Sequence, residues 1–281
     1  MTNGSDSRTD SISQILPWTF FSPDHEKARF WVHYGLVIAG FILAVITYLS
    51  QAFKPAPYGK HDNTKSSKCR VPQRIAHVGA DGVLGVIGFS LIYFLLGEHF
   101  DEAENIVMYC LFELHYLHRG LIHPLITRYS DKTVPLLIPL GTFLPNALYF
   151  FINADWIGST HYYRGYYYDP RFIIGVILFV VGYIINRASD WKLRSLRTKS
   201  GEQGYQIPHG LLFNYISCPN YLGEMIEWGG WTILTWSLAG LVWWLFTCAT
   251  FVARSRHNLQ WYREHFIEYP HHRKALIPFL Y

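Results

Sequence analysis

The chain reads as an all-α integral membrane bundle of about seven transmembrane helices. Half of its 281 residues are apolar and only 16% are charged. Several stretches approach the roughly 20 nearly uncharged residues that cross a bilayer. Two carboxylates, Glu224 and Glu227, interrupt an apolar run from Leu211 to Val252. An acidic side chain at the centre of a membrane helix costs about 2.5 to 3.5 kcal/mol on insertion scales, so a pair demands partners on neighbouring helices.

Residues 1–28 are polar and lack a basic start followed by an apolar core, so no cleavable signal peptide is expected. The first span, about Phe30 to Leu49, then serves as its own insertion signal, and residues 29–281 form a single membrane-embedded domain. A loop from Gln51 to Arg74 follows with six Lys or Arg against one Asp, which marks it as cytoplasmic. The second span, about Val78 to Leu96, carries Gly79, Gly82, Gly85 and Gly88 at intervals of three, and Asp81 is its only charge. Such spacing permits close helix contact. It is not a nucleotide-binding glycine loop, because no strand precedes it. The acidic turn EHFDEAE falls on the opposite side of the membrane.

The third span begins near Asn105 and places Glu113, His115, Tyr116, His118 and Arg119 in its second half, too many polar groups for a lipid-facing helix. A fourth covers about Val134 to Ile152. The aromatic segment WIGSTHYYRGYYY after it suits the headgroup level. The fifth runs from about Phe172 into INRASDWKLRSLRTK, where Asn186, Asp190, Arg194 and Arg197 share one helix face. The Leu211 to Val252 run is too long for one span, and Gly229 with Gly230 divides it into spans six and seven. Loops 51–74, 128–133 and 192–209 and the tail after Arg254 are the basic ones and fall on one side. The N-terminus is therefore expected outside, with the C-terminus and any site for a soluble cofactor in the cytoplasm.

On the sixth span Asn220, Glu224 and Glu227 lie at i, i+4 and i+7, one polar stripe on an otherwise apolar helix. A structural clamp between helices explains one buried carboxylate, but three aligned polar groups point to a site. The four cysteines, Cys69, Cys110, Cys218 and Cys248, form no close pair and indicate neither a disulfide framework nor a zinc site. His115 and His118 with Glu113 nearby would suit a di-iron bundle only with a second Glu-x-x-His pair, which is absent, so no metal is expected. The expected partners are membrane lipid and a lipophilic ligand, with no nucleic acid and no obligate protein partner.

Four stretches, HYLHR (His115 to Arg119), INRASDWKLRSLR (Ile185 to Arg197), NYLGEMIEW (Asn220 to Trp228) and RKALIPF (Arg273 to Phe279), closely resemble the steroid 5α-reductase family, and the likeness is read as that of a microbial member. It runs from YGKH at Tyr58 to His61 through to the C-terminus. What it implies is reduction of the C4 to C5 double bond of a 3-oxo-4-ene steroid by NADPH. The family's dinucleotide contacts carry over to Tyr58, Asn186, Asp190, Arg197, Asn220, Glu224 and Tyr262. Arg119, Arg194 and Arg273 join this set, the last through a tail that folds back over the cofactor. The catalytic tyrosine corresponds to Tyr116, with Asp81 beside it, and Glu227 and Trp228 join those two around the substrate. Departures exist: the family's Gln-Glu pair on the second span aligns with Ala80 and Asp81, a tail His with Leu259, an Arg with Gln206 and an Asn with Thr127.

Reducing an enone needs a hydride donor over the β-carbon and a group that stabilises negative charge on the carbonyl oxygen. A phenol at Tyr116 suits the second task, and a carboxylate at Asp81 would orient it or relay a proton. Without the resemblance, Tyr116 would read as a core or interfacial tyrosine, and the two arginines after Asp190 as a snorkelling helix end. No Rossmann signature is present, so a dinucleotide must be held by side chains between helices. The remaining alternatives are a methyltransferase using S-adenosylmethionine, which NYLGE-like motifs alone permit, and a non-catalytic sterol- or lipid-binding protein.

Overall fold

A computed structural model describes residues 24–54, 61, 69–127, 133–199 and 205–281. Seven helical rods run through these residues: α1 (Asp24–Phe53), α2 (Gln73–Leu96), α3 (Ala103–Tyr116, continued by Leu117–Ile122 and His123–Ile126), α4 (Leu137–Ser159), α5 (Pro170–Lys199), α6 (Pro219–Thr235) and α7 (Leu238–His265). Five of them, α1, α2, α4, α5 and α7, are long and apolar enough to cross a membrane. The other two, α3 and α6, carry the polar residues that set this chain apart. Outward faces such as Ile38, Phe41, Ile42 and Val45 on α1 are exposed aliphatic and aromatic side chains, as a lipid boundary requires.

α5 and α6 make the most extensive pair in the bundle. Glycines seven residues apart on both helices explain it: a Cβ on Gly182 would lie 2.3 Å from the Glu227 backbone nitrogen, and one on Gly223 would lie 2.5 Å from that of Asn186. Backbone therefore meets backbone, and Asn186 is pressed against the turn that bears Glu224. α2 meets α3 in the same way, for a Cβ on Gly82 would come within 2.8 Å of the Gly120 carbonyl oxygen. The glycine ladder of α2 works only at its inner rungs, since a Cβ on Gly79 would meet nothing within 4 Å. Around these seams packs an aromatic core of Phe89, Phe112, Phe150, Trp228, Trp231 and Trp243, all buried.

Two expectations about boundaries fail. The Leu211 to Val252 run does not divide at Gly229 and Gly230, both of which lie inside α6. Gly230 there accepts the backbone of Phe179. The break comes at Trp236, whose φ of 46° ends α6 in the left-handed region, and Ser237 then caps α7 by accepting from the Gly240 N–H. The fourth span likewise begins at Leu137. Thr133–Pro135 instead pairs as an antiparallel strand (β2) with Arg70–Pro72 (β1), the one two-stranded sheet among the described residues.

The aromatic segment after α4 is not wholly interfacial. Tyr163, Tyr167 and Tyr168 are exposed, but Tyr162 and Tyr166 are buried and donate to the Thr235 and Leu234 carbonyls, two acceptors that the end of α6 leaves open. Asp169 then receives the Arg171 backbone N–H at the start of α5, and the Arg171 side chain and Tyr163 hydroxyl, both donating to it, hold its carboxyl well below the usual carboxylate range. Past α7 the tail turns back, and Ile216 bridges in parallel to Lys274, which ties the tail to the approach to α6.

Candidate active site

Asp81 and Arg119 lie on stretches where α2 and α3 widen from α to π geometry, Val78–Gly88 and Leu117–Ile122. In such stretches the backbone bonds i to i+5, an arrangement frequent at functional sites. The widening turns Asp81 inward: it is buried, and its Oδ1 accepts from Asn146 of α4 at 3.0 Å. Its Oδ2 lies 3.7 Å from Arg119 Nε, and Arg119 Nη1 donates to Glu224 Oε2 of α6 at 3.2 Å. One guanidinium thus spans two buried carboxylates from two different helices. Each carboxylate would be costly at this depth without such a partner.

From Glu224 the network continues to α5. Asn186 Nδ2 donates to Glu224 Oε2 at 3.2 Å and to the Asn220 carbonyl at 2.8 Å, and Asn220 Nδ2 donates to Asp190 Oδ1 at 3.2 Å. Arg187 lies 3.9 Å from Asp190 and also meets His118 and the Asn186 side-chain oxygen. The two predicted stripes, Asn186 with Asp190 and Asn220 with Glu224, therefore face each other across the α5–α6 seam.

Tyr116 sits at the end of this network. Its ring lies on Gly85, where a Cβ would come within 2.4 Å of it, and it is ringed by Phe112 and Phe150 at centroid distances of 4.7 and 4.5 Å. Trp228 lies 6.0 Å away. The ionisable groups Asp81, Arg119, Glu224 and Glu227 act electrostatically on the phenol, and its hydroxyl makes no hydrogen bond to the described residues. Behind it, His115 Nδ1 and Glu227 Oε1 share a 2.7 Å hydrogen bond, and both side chains are fully buried. The remaining polar atoms of that pair, His115 Nε2 and Glu227 Oε2, have no hydrogen-bond partner among the described residues, nor have Trp228 Nε1 and Arg187 Nε.

Asp81, Tyr116, Arg119, Asn186, Asp190, Asn220, Glu224, Glu227 and Trp228 are thus brought together. Arg194 lies near His118, one turn beyond Asp190. Tyr262 and Arg273 form a separate group: Tyr262 stacks on Tyr269 at 5.1 Å, and the buried Arg273 donates to the Pro208 carbonyl and lies over the Tyr269 ring. Tyr58 lies outside the described residues, as does the Arg197 side chain. Sequence reasoning passed over Arg187 and Asn146. Both had a readable signal, the first adjoining Asn186 in the same motif and the second a lone amide in an apolar span. The three residues weighed as metal ligands part company: Glu113 accepts from Ser90, His115 pairs with Glu227 and His118 meets Arg187.

The family model for 3-oxo-5-alpha-steroid 4-dehydrogenase matches residues 132–281, more than half of the chain. The chain belongs to this family. It is similar to steroid 5-alpha-reductase DET2 of Solanum lycopersicum, with 35% identity over 93% of this chain and 100% of that one. It is 36% identical to the protein of that name from Arabidopsis thaliana, over 88% of this chain and 94% of that one. To 3-oxo-5-alpha-steroid 4-dehydrogenase 1 of Rattus norvegicus it is 40% identical, over 86% of this chain and 93% of that one. The likeness therefore covers α2 and α3, with Asp81 and Tyr116, as well as the C-terminal half.

Proposed function

We propose that this protein is a membrane oxidoreductase that reduces the C4–C5 double bond of a 3-oxo-4-ene steroid, or of a similar lipophilic enone, with NADPH. The observation that carries the reading is the chain of polar contacts Asp81–Arg119–Glu224–Asn186–Asn220–Asp190, buried at Asp81, Glu224 and Asn186 and half-buried elsewhere, beside an aromatic-walled phenol.

The side chains suit a dinucleotide. Asn186 and Asn220 offer amides for a carboxamide or ribose, Glu224 and Asp190 accept from hydroxyls, and Arg119, Arg187 and Arg194 match phosphate. The nitrogens of Trp228 and Arg187 and the second oxygen of Glu227, without a partner among the described residues, are buried polar atoms of the kind a bound polar group satisfies. When bound, NADPH supplies the hydride for the β-carbon. The protein's part is to donate a hydrogen bond from the Tyr116 hydroxyl to the C3 carbonyl oxygen, where negative charge develops. Phe112, Phe150 and Trp228 exclude water from that oxygen and fix the ring. Asp81, itself held by Asn146, keeps Arg119 near the phenol, so that a cation faces the growing charge. The steroid would come from the bilayer and the cofactor from the cytoplasm, with the N-terminus outside and the C-terminus in the cytoplasm.

Thermal unfolding of the purified protein with NADPH and with S-adenosylmethionine, followed by product identification from a 3-oxo-4-ene steroid, tests the reading. Stabilisation by NADPH and a 5α-reduced product are expected. Stabilisation by S-adenosylmethionine alone would make it a methyltransferase, and stabilisation by neither with steroid bound unchanged would make it a lipid-binding protein.

A further inference from the structure

The acidic turn between α2 and α3 places His99 and Glu102 three residues apart, with Glu102 as the residue that precedes the first turn of α3. His161 lies 59 residues further along, just past the end of α4. The fold brings the three together at the bundle end away from Tyr116, roughly 20 Å along α3 at about 1.5 Å per residue. Glu102 Oε1 lies 3.0 Å from His99 Nδ1 and 2.6 Å from His161 Nδ1, and one ligand atom from each residue falls within 4.8 Å of the others.

We propose that His99, Glu102 and His161 bind one divalent transition-metal ion of the zinc type, which staples the turn before α3 to the segment after α4. Two imidazole nitrogens and one carboxylate oxygen are a donor set that suits zinc and leaves a fourth position for water. Zinc bonds of about 2.0–2.1 Å put tetrahedral ligand atoms about 3.3 Å apart, so small side-chain rotations convert the present spacing into a coordination shell. The backbone beneath already holds the segments at a fixed separation. The His99 N–H donates to the Gly158 carbonyl at 2.8 Å, and Asn105 Nδ2 donates to the Ile157 and Thr160 carbonyls at 2.7 and 2.9 Å. Gly97 and Gly158 are so close that a Cβ on Gly97 would lie 2.8 Å from the Gly158 oxygen. The ligands need little ordering to bind. Their side chains are 32%, 26% and 66% exposed, so an ion reaches them from water. The segment so fixed runs on to Tyr162 and Tyr166, which cap α6, so the ion would stabilise the helix that carries Glu224.

Glu102 bridging two imidazoles through protons is the metal-free alternative, and titration separates the two. The full-length protein, stripped with a chelator, is titrated with Zn²⁺ while thermal unfolding is followed. A rise that saturates at one equivalent is expected, with none for Mg²⁺. Co²⁺ should give a visible absorption band from the same site. His161→Ala, at an exposed position, and His99→Ala should each weaken Zn²⁺ binding at least about tenfold and remove the Co²⁺ band. The chain has 14 histidines, so a rise or a band that persists in the doubly substituted protein would place the ion elsewhere and overturn the proposal. So would a wild-type protein that Zn²⁺ leaves unchanged.

Discussion

Tyr116 is surrounded on three sides by rings and on the fourth by Gly85, so removing its hydroxyl leaves the packing untouched. Tyr116→Phe is expected to slow hydride transfer roughly 10²- to 10³-fold, as loss of one oxyanion donor does, with little change in NADPH affinity. Single-turnover reduction followed by NADPH absorbance measures it. Asp81→Asn should also slow turnover, and the double variant should fall short of the summed losses because both act on one oxygen. Strict additivity would separate Asp81 from the phenol. Glu224→Gln removes a charge that Arg119 and Asn186 share and should weaken NADPH binding while the protein stays inserted and folded. Unchanged affinity with lost thermal stability would make Glu224 a structural clamp. At this scale the sequence was informative about which residues are polar where lipid should be. It said little about pairings such as His115 with Glu227, because those depend on how two helices are rotated against each other, which no spacing within either one records.

At the scale of the helix, close approach is what positions the site. Gly182→Ala would place a methyl 2.3 Å from the Glu227 nitrogen, so α5 and α6 must move apart. A loss of about 1–3 kcal/mol or more in stability is expected, together with weaker cofactor binding. Gly79→Ala meets nothing within 4 Å and should be neutral, or stabilising by up to about 1 kcal/mol. Chemical denaturation of both proteins in the same detergent provides the comparison, and equal effects would deny the seam its role. Helix existence was legible from apolar length, but the end of α6 was not. Gly229 and Gly230 look like a break in one dimension, yet they serve helix contact. The true break at Trp236 and Ser237 lacks glycine or proline and is held by a cap, Ser237 with Gly240. The π stretches bearing Asp81 and Arg119 left no mark in the periodicity, and they meet where Gly82 and Gly120 bring the two helices into backbone contact.

For the whole molecule, the basic loops were the readable feature. A cysteine at Lys65 should react with impermeant thiol reagents only from the cytoplasmic side, and labelling from outside would put the Arg119 cluster out of reach of the NADPH proposed for it. The number of helices followed from hydropathy for five of the rods. α3 and α6 were recognisable from the polar residues set into apolar sequence; α6 is 17 residues long and α3 is divided into α and π pieces, so neither is one long apolar helix. The β1–β2 pair and the burial of Tyr162 and Tyr166 left no signal, since both arise from contacts between segments far apart in the chain.

The glycine seams also decide how the bundle can breathe. Backbone contact locks α5 to α6 and α2 to α3, so neither pair can open without losing its packing. Between the two pairs stands Arg119, carried by α3 and reaching across to Glu224 on α6. A parting of these two stiff blocks, a collective motion of microseconds to milliseconds, would have to break the Arg119–Glu224 pair together with the buried His115–Glu227 hydrogen bond and the His118–Arg187 contact.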